Sequence, residues 1–180
     1  ISYQLLSGST DPAETLTWSQ FHGQVTQAAN LFRSLGVSET DSVAYVLPNC
    51  TETATALLGA TVAGIANPIN PLLEAQQIGA ILRETEAKIV VTLRAFPKTD
   101  VAQKVAEAVA LAPNVNTVIE VDLHRYLTGV KKLIVPLIRP KVEVKHKARV
   151  LNWTAEMAKQ PKDRLTFADS AGDRVAAYFH

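Results

Sequence analysis

Few side chains in this 180-residue sequence combine the type and spacing that catalysis or metal binding requires. The four histidines, His22, His124, His146 and His180, stand too far apart along the chain to form a local set of metal ligands. The single cysteine, Cys50, excludes an intrachain disulfide and a metal site made of several cysteines. Neither a GxGxxG nor a GK[ST] phosphate loop is present. We therefore predict that the chain binds no metal.

Two polar residues, Asn49 and Cys50, follow the apolar run "DSVAYVLP", and Cys50 begins the helical pattern "CTETATALLGATVAG". A helix N-terminus would lower the pKa of the Cys50 thiol, but no histidine or acid stands at a telling spacing, so we interpret Cys50 as a small packed residue. Asn49 is a candidate for the substrate side, because open parallel sheets bind ligands at the carboxyl ends of their strands. Capping its own helix, with Glu52 three residues on, is the simpler role for Asn49.

The elements that position these residues are alternating helices and strands between residues 16 and 121. Thr17 and Gln20 form a capping-box pattern before the first helix, and Gly36 follows it; His22 is predicted on its solvated side. The strands are continuous apolar runs, which is typical of a parallel sheet covered by helices on both faces. We therefore predict an α/β fold with a mostly parallel sheet. The predicted core comprises Phe32, Val43, Leu47, Leu57, Val90, Val91 and Ile119.

The composition is that of an ordinary globular protein, with 47% hydrophobic residues and a net charge of +1. So small a net charge gives no field that would select nucleic acid as a partner. No run of about 18 apolar residues predicts a membrane span. The single cysteine fits a reducing, cytoplasmic compartment.

Residues 122–150 form a basic segment with eight basic and two acidic residues, a net charge of +6. Eight apolar residues fall on one helical stripe: Leu123, Tyr126, Leu127, Val130, Leu133, Ile134, Leu137 and Ile138. Such a stretch can lie on an anionic membrane or bind a partner; the candidate contacts are Lys131, Lys132, Arg139, Lys145 and Lys147. The simpler interpretation is an insertion whose stripe packs on the sheet or in a homodimer. Gly129 and Pro136 are expected to interrupt a long helix.

The predicted organisation is an α/β unit over 1–121, a basic insertion or connection over 122–172, and a terminal strand over 173–180. The terminal sequence "DRVAAYFH" contains a short apolar run that predicts a buried strand. The amino-terminal "ISYQLL" is typical of the middle of a strand. We therefore expect both ends to be cut from a longer protein.

Several motifs, in order, resemble the amino-terminal part of the adenylate-forming acyl-CoA synthetases. The sequence "LTWSQF" resembles the family motif L-[TS]-Y-x-E-L, with Trp18 and Phe21 in the Tyr and Leu places. The sequence "GVSETDSVAYVLPNC" is similar to G-V-x-x-G-D-x-V, with Thr40 in place of Gly, and "GATVAGIANPINP" resembles A-G-A-x-x-x-P-x-N-P. The resemblance covers roughly residues 14–93 and the end of the chain.

This resemblance implies an enzyme that joins a fatty or other organic acid to CoA through an acyl-adenylate, with ATP, Mg²⁺ and CoA as substrates and cofactor. In the family, the strand resembling "AAYFH" is followed by a Ser/Thr/Gly-rich loop that holds the ATP phosphates. Tyr178, Phe179 and His180 would therefore lie near the nucleotide. The catalytic residues are expected beyond His180, so we expect no ligand on this chain and no activity from it alone.

Two other readings stay open. The first is a non-catalytic α/β module that binds a membrane surface or a protein partner through residues 122–150. The second is a small doubly wound nucleotide-binding domain, which the absence of a glycine-rich turn disfavours. The acyl substrate and the oligomeric state are not predicted.

Overall fold

Strands and helices alternate along the chain in the computed structural model, which describes residues 1–3, 13–97, 99–127, 129–138, 144–168 and 172–180. The strands are β1 (Ser2–Tyr3), β2 (Glu14–Thr15), β3 (Ser42–Val46), β4 (Ile65–Pro68), β5 (Ile89–Leu93), β6 (Thr117–Val121) and β7 (Arg149–Asn152). The helices are α1 (Trp18–Ser34), α2 (Thr51–Ala63), α3 (Ala75–Glu84), α4 (Val101–Leu111), α5 (Gly129–Ile138) and α6 (Trp153–Met157), and a 3₁₀-helix (Leu123–Tyr126) follows β6.

The central sheet has five parallel strands in the order β4-β3-β5-β6-β7, and β1 pairs separately with β2 in antiparallel fashion. Every residue of β3 and β5 is buried, as the continuous apolar runs predict. The helices form two packed groups, α1 with α2 and α3 with α4. Right-handed crossovers place these groups on opposite faces of the sheet. The predicted mostly parallel α/β fold is confirmed.

The predicted core is confirmed at six of its seven positions, because only Leu57 is half-buried. The face of α2 that packs on α1 consists of small residues, and a carbon added at Gly59 would lie 2.5 Å from Ala28 Cβ. Leu57 therefore falls beside this contact rather than within it. Large side chains fill the space on the sheet instead, with Phe32 fully buried on α1.

Local signals at the ends of α1 are also confirmed. The Gln20 amide donates to Thr17 Oγ1 over 3.2 Å, and the Thr17 amide donates to Gln20 Oε1 over 2.8 Å, which completes the capping box. Gly36 has a φ of 88°, a left-handed conformation that glycine adopts without strain. His22 is exposed, as predicted.

The buried side chain of Asn30 anchors the segment 161–166 to α1. Its amide nitrogen donates to the carbonyls of Pro161 and Arg164 over 3.0 and 2.9 Å. Its oxygen accepts from the amide of Thr166 over 2.8 Å. Every polar atom of this side chain is paired with the segment, and Gln27 of α1 also donates to the carbonyls of Met157 and Gln160, so α1 fixes the path of the chain after α6.

The apolar stripe of the basic segment does not form one helix. Gly129 begins α5 after the 3₁₀-helix, so the predicted interruption at this glycine is confirmed. The interruption predicted at Pro136 is wrong, because α5 continues to Ile138. At Pro136 the helix lacks one backbone hydrogen bond, and α5 ends only two residues later. None of the helices among the described residues is long and apolar enough to cross a bilayer.

The terminal strand predicted to be buried lies at the edge of the sheet. Ala177 pairs in parallel with Ala66 of β4, through hydrogen bonds of 2.9 Å from the Ala66 amide to the carbonyl of residue 176 and from the Tyr178 amide to Ala66. Val175 and Phe179 remain 53% and 79% exposed. The prediction of burial is therefore wrong, since a short apolar run does not distinguish a central strand from an edge that is covered on one side only.

Candidate functional site

The loops after β3, β4, β5 and β6 converge on one cavity of about 490 Å³ at the carboxyl edge of the sheet. Strand β4, which follows β3 along the chain, pairs with one edge of β3, whereas β5 pairs with the opposite edge of β3. The cavity therefore lies where the strand order reverses, the usual place for ligands in open α/β sheets. Its lining includes Asn49, which follows β3, and Phe96, which follows β5.

The walls of this carboxyl-edge cavity are mainly apolar, with one basic side chain. Lys104 Nζ lies 3.2 Å from Glu74 Oε1 and 3.3 Å from Asp100 Oδ2. The hydrogen bond to Glu74 and the charge of Asp100 raise the pKa of Lys104. Two carboxylates beside one ammonium leave a local charge of −1, so this cavity suits an apolar acyl or aryl group better than an anion.

Asn49 is exposed at this cavity but does not cap α2, so the predicted capping role is wrong. The residue that precedes the first turn is Cys50, and its side chain makes no capping hydrogen bond. Instead, Thr53 Oγ1 donates to the carbonyl of Pro48 over 2.5 Å. The substrate-side role of Asn49 stays a prediction, and the exposed position of Asn49 at the cavity is compatible with it.

The thiol of Cys50 is buried, and its pKa is raised to about 11. Burial is the main cause; the hydrogen bond with Thr53 opposes it, and the charge of Glu52 adds to it. The expectation that the helix N-terminus lowers the pKa of the Cys50 thiol is therefore wrong, because desolvation of the thiol outweighs the effect of the helix dipole. The preferred interpretation of Cys50 as a packed residue agrees with this environment.

We predict that Cys50 reacts about a hundredfold more slowly with a disulfide reagent at pH 8 in the folded chain than in denaturant, because little thiolate forms. Absorbance of the released thiolate measures this rate. The control places an exposed thiol in the interior of α3, as Ala80→Cys in a Cys50→Ser chain, and this thiol should react at the rate of a free thiol. Equal rates for native and denatured Cys50 would contradict the prediction.

Four side chains that the sequence does not connect form a partly buried ionic cluster, which we call the Glu52–Arg125 cluster. Arg125 Nε donates to Glu52 Oε1, and its two terminal nitrogens donate to the oxygens of Glu14 over 2.8 and 3.1 Å. The Tyr126 hydroxyl donates to Glu52 Oε2 over 2.6 Å and accepts from the Thr51 amide over 3.2 Å. The cluster thereby joins β2, the start of α2 and the 3₁₀-helix.

The protonation states of the Glu52–Arg125 cluster are fixed by its own contacts. Burial pushes the pKa of Glu14 upward, but hydrogen bonds from Arg125 and Thr51 outweigh it and lower this pKa. Burial and then the charge of Glu52 raise the pKa of Tyr126 far above its usual range. Burial, followed by the charge interactions with Cys50 and Glu52, raises the pKa of Tyr3 to about 12. Groups held so firmly in one state are suited to structure rather than to proton transfer at neutral pH.

Tyr178 and His180 line a second, open pocket of about 370 Å³ at the amino ends of β3 and β5, whereas Phe179 projects into solvent. Its other lining residues include three acids, Asp41, Glu84 and Glu86. Asp41 is paired with Lys88 over 2.9 Å. The position of Tyr178, Phe179 and His180 near a nucleotide stays a prediction.

The remaining predicted positions fall partly outside the described residues. Lys145 and Lys147 are described and exposed. Arg139 lies outside the described residues, as do the side chains of Lys131 and Lys132, although the backbone of both lysines belongs to α5. Within the described part of the chain, no three His, Cys, Asp or Glu side chains are arranged to hold a metal ion.

Comparison with known proteins agrees with this fold. Residues 4–158 match the family described as AMP-binding enzyme. The chain is 32% identical over 181 aligned residues to marinolic acid–CoA ligase from Pseudoalteromonas sp. (strain SANK 73390), an alignment that covers 100% of this chain and 24% of the relative. The chain therefore spans about a quarter of the length of this relative.

Solved structures of similar fold include a benzoate CoA ligase from Burkholderia xenovorans LB400, with a TM-score of 0.66 at 18% identity over 94% of this chain and 28% of that chain. An acyl-CoA synthetase from Brucella canis gives a TM-score of 0.63 at 21% identity over 87% and 24% of the two chains. These likenesses show a shared fold. Since the family match extends over most of the described fold, from β2 to α6, the chain belongs to the AMP-binding enzyme family.

Proposed function

We propose that this chain is the amino-terminal portion of a ligase that activates a carboxylic acid with ATP and joins it to CoA. The carboxylate oxygen attacks the α-phosphorus of ATP, and pyrophosphate leaves. The sulfur of CoA then attacks the acyl carbon, and AMP leaves with the bonding electrons. The observation that carries this proposal is the alignment of the whole chain with a CoA ligase at 32% identity.

In this proposal, the residues described here supply framework and a substrate-side surface. The carboxyl-edge cavity, with Asn49 at its rim, offers apolar walls to an organic acid. No step at the nucleotide is assigned to a residue of this chain. The Glu52–Arg125 cluster ties the start of α2, which directly follows Asn49 and Cys50, to the 3₁₀-helix.

A chimera tests the proposal. The segment of marinolic acid–CoA ligase that aligns with this chain is replaced by residues 1–180, and pyrophosphate release is followed with ATP, Mg²⁺, CoA and the acid after which the relative is named. We expect acid-dependent release within about a hundredfold of the parent rate, because small displacements of a site cost up to that much. The control is the parent enzyme with the segment deleted, which should be inactive. A folded chimera that releases no pyrophosphate would contradict the proposal.

The 180-residue chain alone is expected to show no synthetase activity, because it offers no described site for the ATP phosphates and such chemistry depends on preorganised charge stabilisation. Pyrophosphate release by the purified chain, with a boiled sample as the baseline, measures this. Acid-dependent turnover above the boiled sample would overturn the expectation.

A further inference from the structure

Helix α5 presents an apolar face to solvent. Val130, Leu133, Ile134 and Leu137 are 69%, 74%, 47% and 78% exposed. Their spacing of three, four and seven residues places them on one stripe of the helix. By contrast, Leu123 and Leu127, which belong to the same sequence stripe, are buried. Such a contiguous exposed stripe is unusual for a globular surface and marks a site of interaction.

The charge around this face is basic. The sequence of α5, "GVKKLIVPLI", contains two lysines and no acid, and the whole segment 122–150 has a net charge of +6. Beyond the helix, the exposed side chains of Lys145, Lys147 and Arg149 belong to the same segment. Residues 1–121 carry six basic and eleven acidic residues, a net charge of −5. The basic residues of the chain are therefore concentrated in the segment that contains α5.

We propose that α5 docks this chain on an anionic membrane surface, with its exposed apolar face in the acyl boundary and the exposed Lys145 and Lys147 attracted to the lipid head groups. A ten-residue helix is about 15 Å long, so it lies in the plane of the interface rather than across the bilayer. The negative charge of residues 1–121 orients the chain, because an anionic surface repels the remainder of the molecule.

Charge complementarity favours lipid over a second copy of the chain. A homodimer through α5 would bring two segments of charge +6 together, and like charges at a contact are unfavourable. Anionic head groups instead attract each lysine and arginine near the surface. This docking is independent of the ligase chemistry proposed above, so neither proposal depends on the other.

Vesicle co-sedimentation of the 180-residue chain tests the docking. Vesicles of phosphatidylcholine with phosphatidylserine should bind the chain at least about tenfold more strongly than vesicles of phosphatidylcholine alone, because several basic residues act together. Binding should fall sharply between about 0.1 M and about 1 M salt, as the charges are screened. Equal binding to the two kinds of vesicle would overturn the proposal.

Two double variants distinguish vesicle binding by the apolar face of α5 from nonspecific binding by exposed leucines. Leu133→Gln with Leu137→Gln should reduce binding about tenfold, because two side chains no longer enter the acyl boundary. The matched control, Leu72→Gln with Leu111→Gln, removes two exposed leucines elsewhere and should leave binding unchanged. All four side chains are exposed, so the melting temperatures should stay within a few degrees of the parent. Equal loss in the two double variants would overturn the role of α5.

The basic residues are tested in the same way. Lys145→Glu with Lys147→Glu should reduce binding to anionic vesicles about tenfold, whereas Lys159→Glu with Lys162→Glu, an identical charge change outside the segment, should have a much smaller effect. Light scattering identifies the competing occupant. The proposal would be overturned if the parent chain formed a homodimer and bound no vesicles, and if Leu133→Gln with Leu137→Gln dissociated that dimer. Helix α5 would then be assigned to the contact with a second copy.

Discussion

Replacing Arg125 by methionine is expected to lower the free energy of unfolding by about 2–3 kcal/mol. The change leaves the carboxylates of Glu14 and Glu52 facing each other without the guanidinium that bridges them. Removing one partner of a buried ion pair typically costs about 3–5 kcal/mol, and the partial exposure of Arg125 reduces this figure. Urea unfolding followed by circular dichroism measures the effect.

The control for this variant is Arg83→Met. Arg83 is exposed and donates one hydrogen bond to the carbonyl of Leu111 over 3.0 Å, so its loss should cost no more than about 0.5 kcal/mol. If Arg125→Met is no more destabilising than Arg83→Met, the Glu52–Arg125 cluster does not hold the fold together.

The difference between parent and Arg125→Met should also depend on pH. The pKa of Glu14 is lowered in the fold from its ordinary value of 4.5. A lowered pKa gives stability that is present above the unfolded value and is lost as the pH falls through the folded value. The loss of unfolding free energy caused by Arg125→Met should therefore be largest near neutral pH. It should become smaller as the pH falls below 4.5, the ordinary pKa of Glu14.

Substituting Gly64 is expected to destabilise the chain by about 2–3 kcal/mol even when the new residue is alanine. A Cβ at this position would lie 2.5 Å from the carbonyl oxygen of Asp41 and 2.8 Å from that of Ser38. Both obstacles are backbone atoms, so the strain of overpacking cannot be relieved by a rotamer change. The φ of Gly64 is −162°, which any residue adopts, so the cost is steric.

The matched control for Gly64→Ala is Gly172→Ala, because a Cβ at Gly172 would meet nothing within 4 Å. Thermal unfolding of the two variants, under the same conditions as the parent, compares a crowded with an open glycine. Similar melting temperatures for both would contradict the packing described at the end of α2. Gly64 belongs to the sequence "GATVAGIANPINP", so the test also explains why this motif needs a glycine there.

Much of the fold follows from local sequence patterns that are compatible with only one kind of structure. Thr17 and Gln20 can cap a helix only in one arrangement, and the structure has it. Continuous apolar runs such as "SVAYV" must be covered on both faces, which a parallel sheet with helices achieves. The burial predicted for the terminal run "DRVAAYFH" and the interruption predicted at Pro136 are wrong. In both cases the structure depends on the neighbouring elements rather than on the residues themselves.

The candidate site is less accessible to sequence reasoning, because its contacts join residues far apart along the chain. Glu14, Glu52 and Arg125 are separated by 38 or more positions, and no spacing rule connects them. Asn49 is recognisable as a residue at the carboxyl end of a strand, yet the cavity beside it is formed by loops from four strands. The raised pKa of Cys50 likewise reflects burial, which a helix N-terminus alone does not reveal.

The measurement that tests the central claim most directly is the analysis of products from the chimera of this chain with marinolic acid–CoA ligase. Mass spectrometry after incubation with ATP, Mg²⁺, CoA and the acid should find acyl-CoA and AMP in equal amounts, because one adenylate is consumed for each thioester. Formation of ADP in place of AMP, or of AMP without a thioester in a folded chimera whose parent makes both, would contradict the assignment of this chain to a carboxylate-activating ligase.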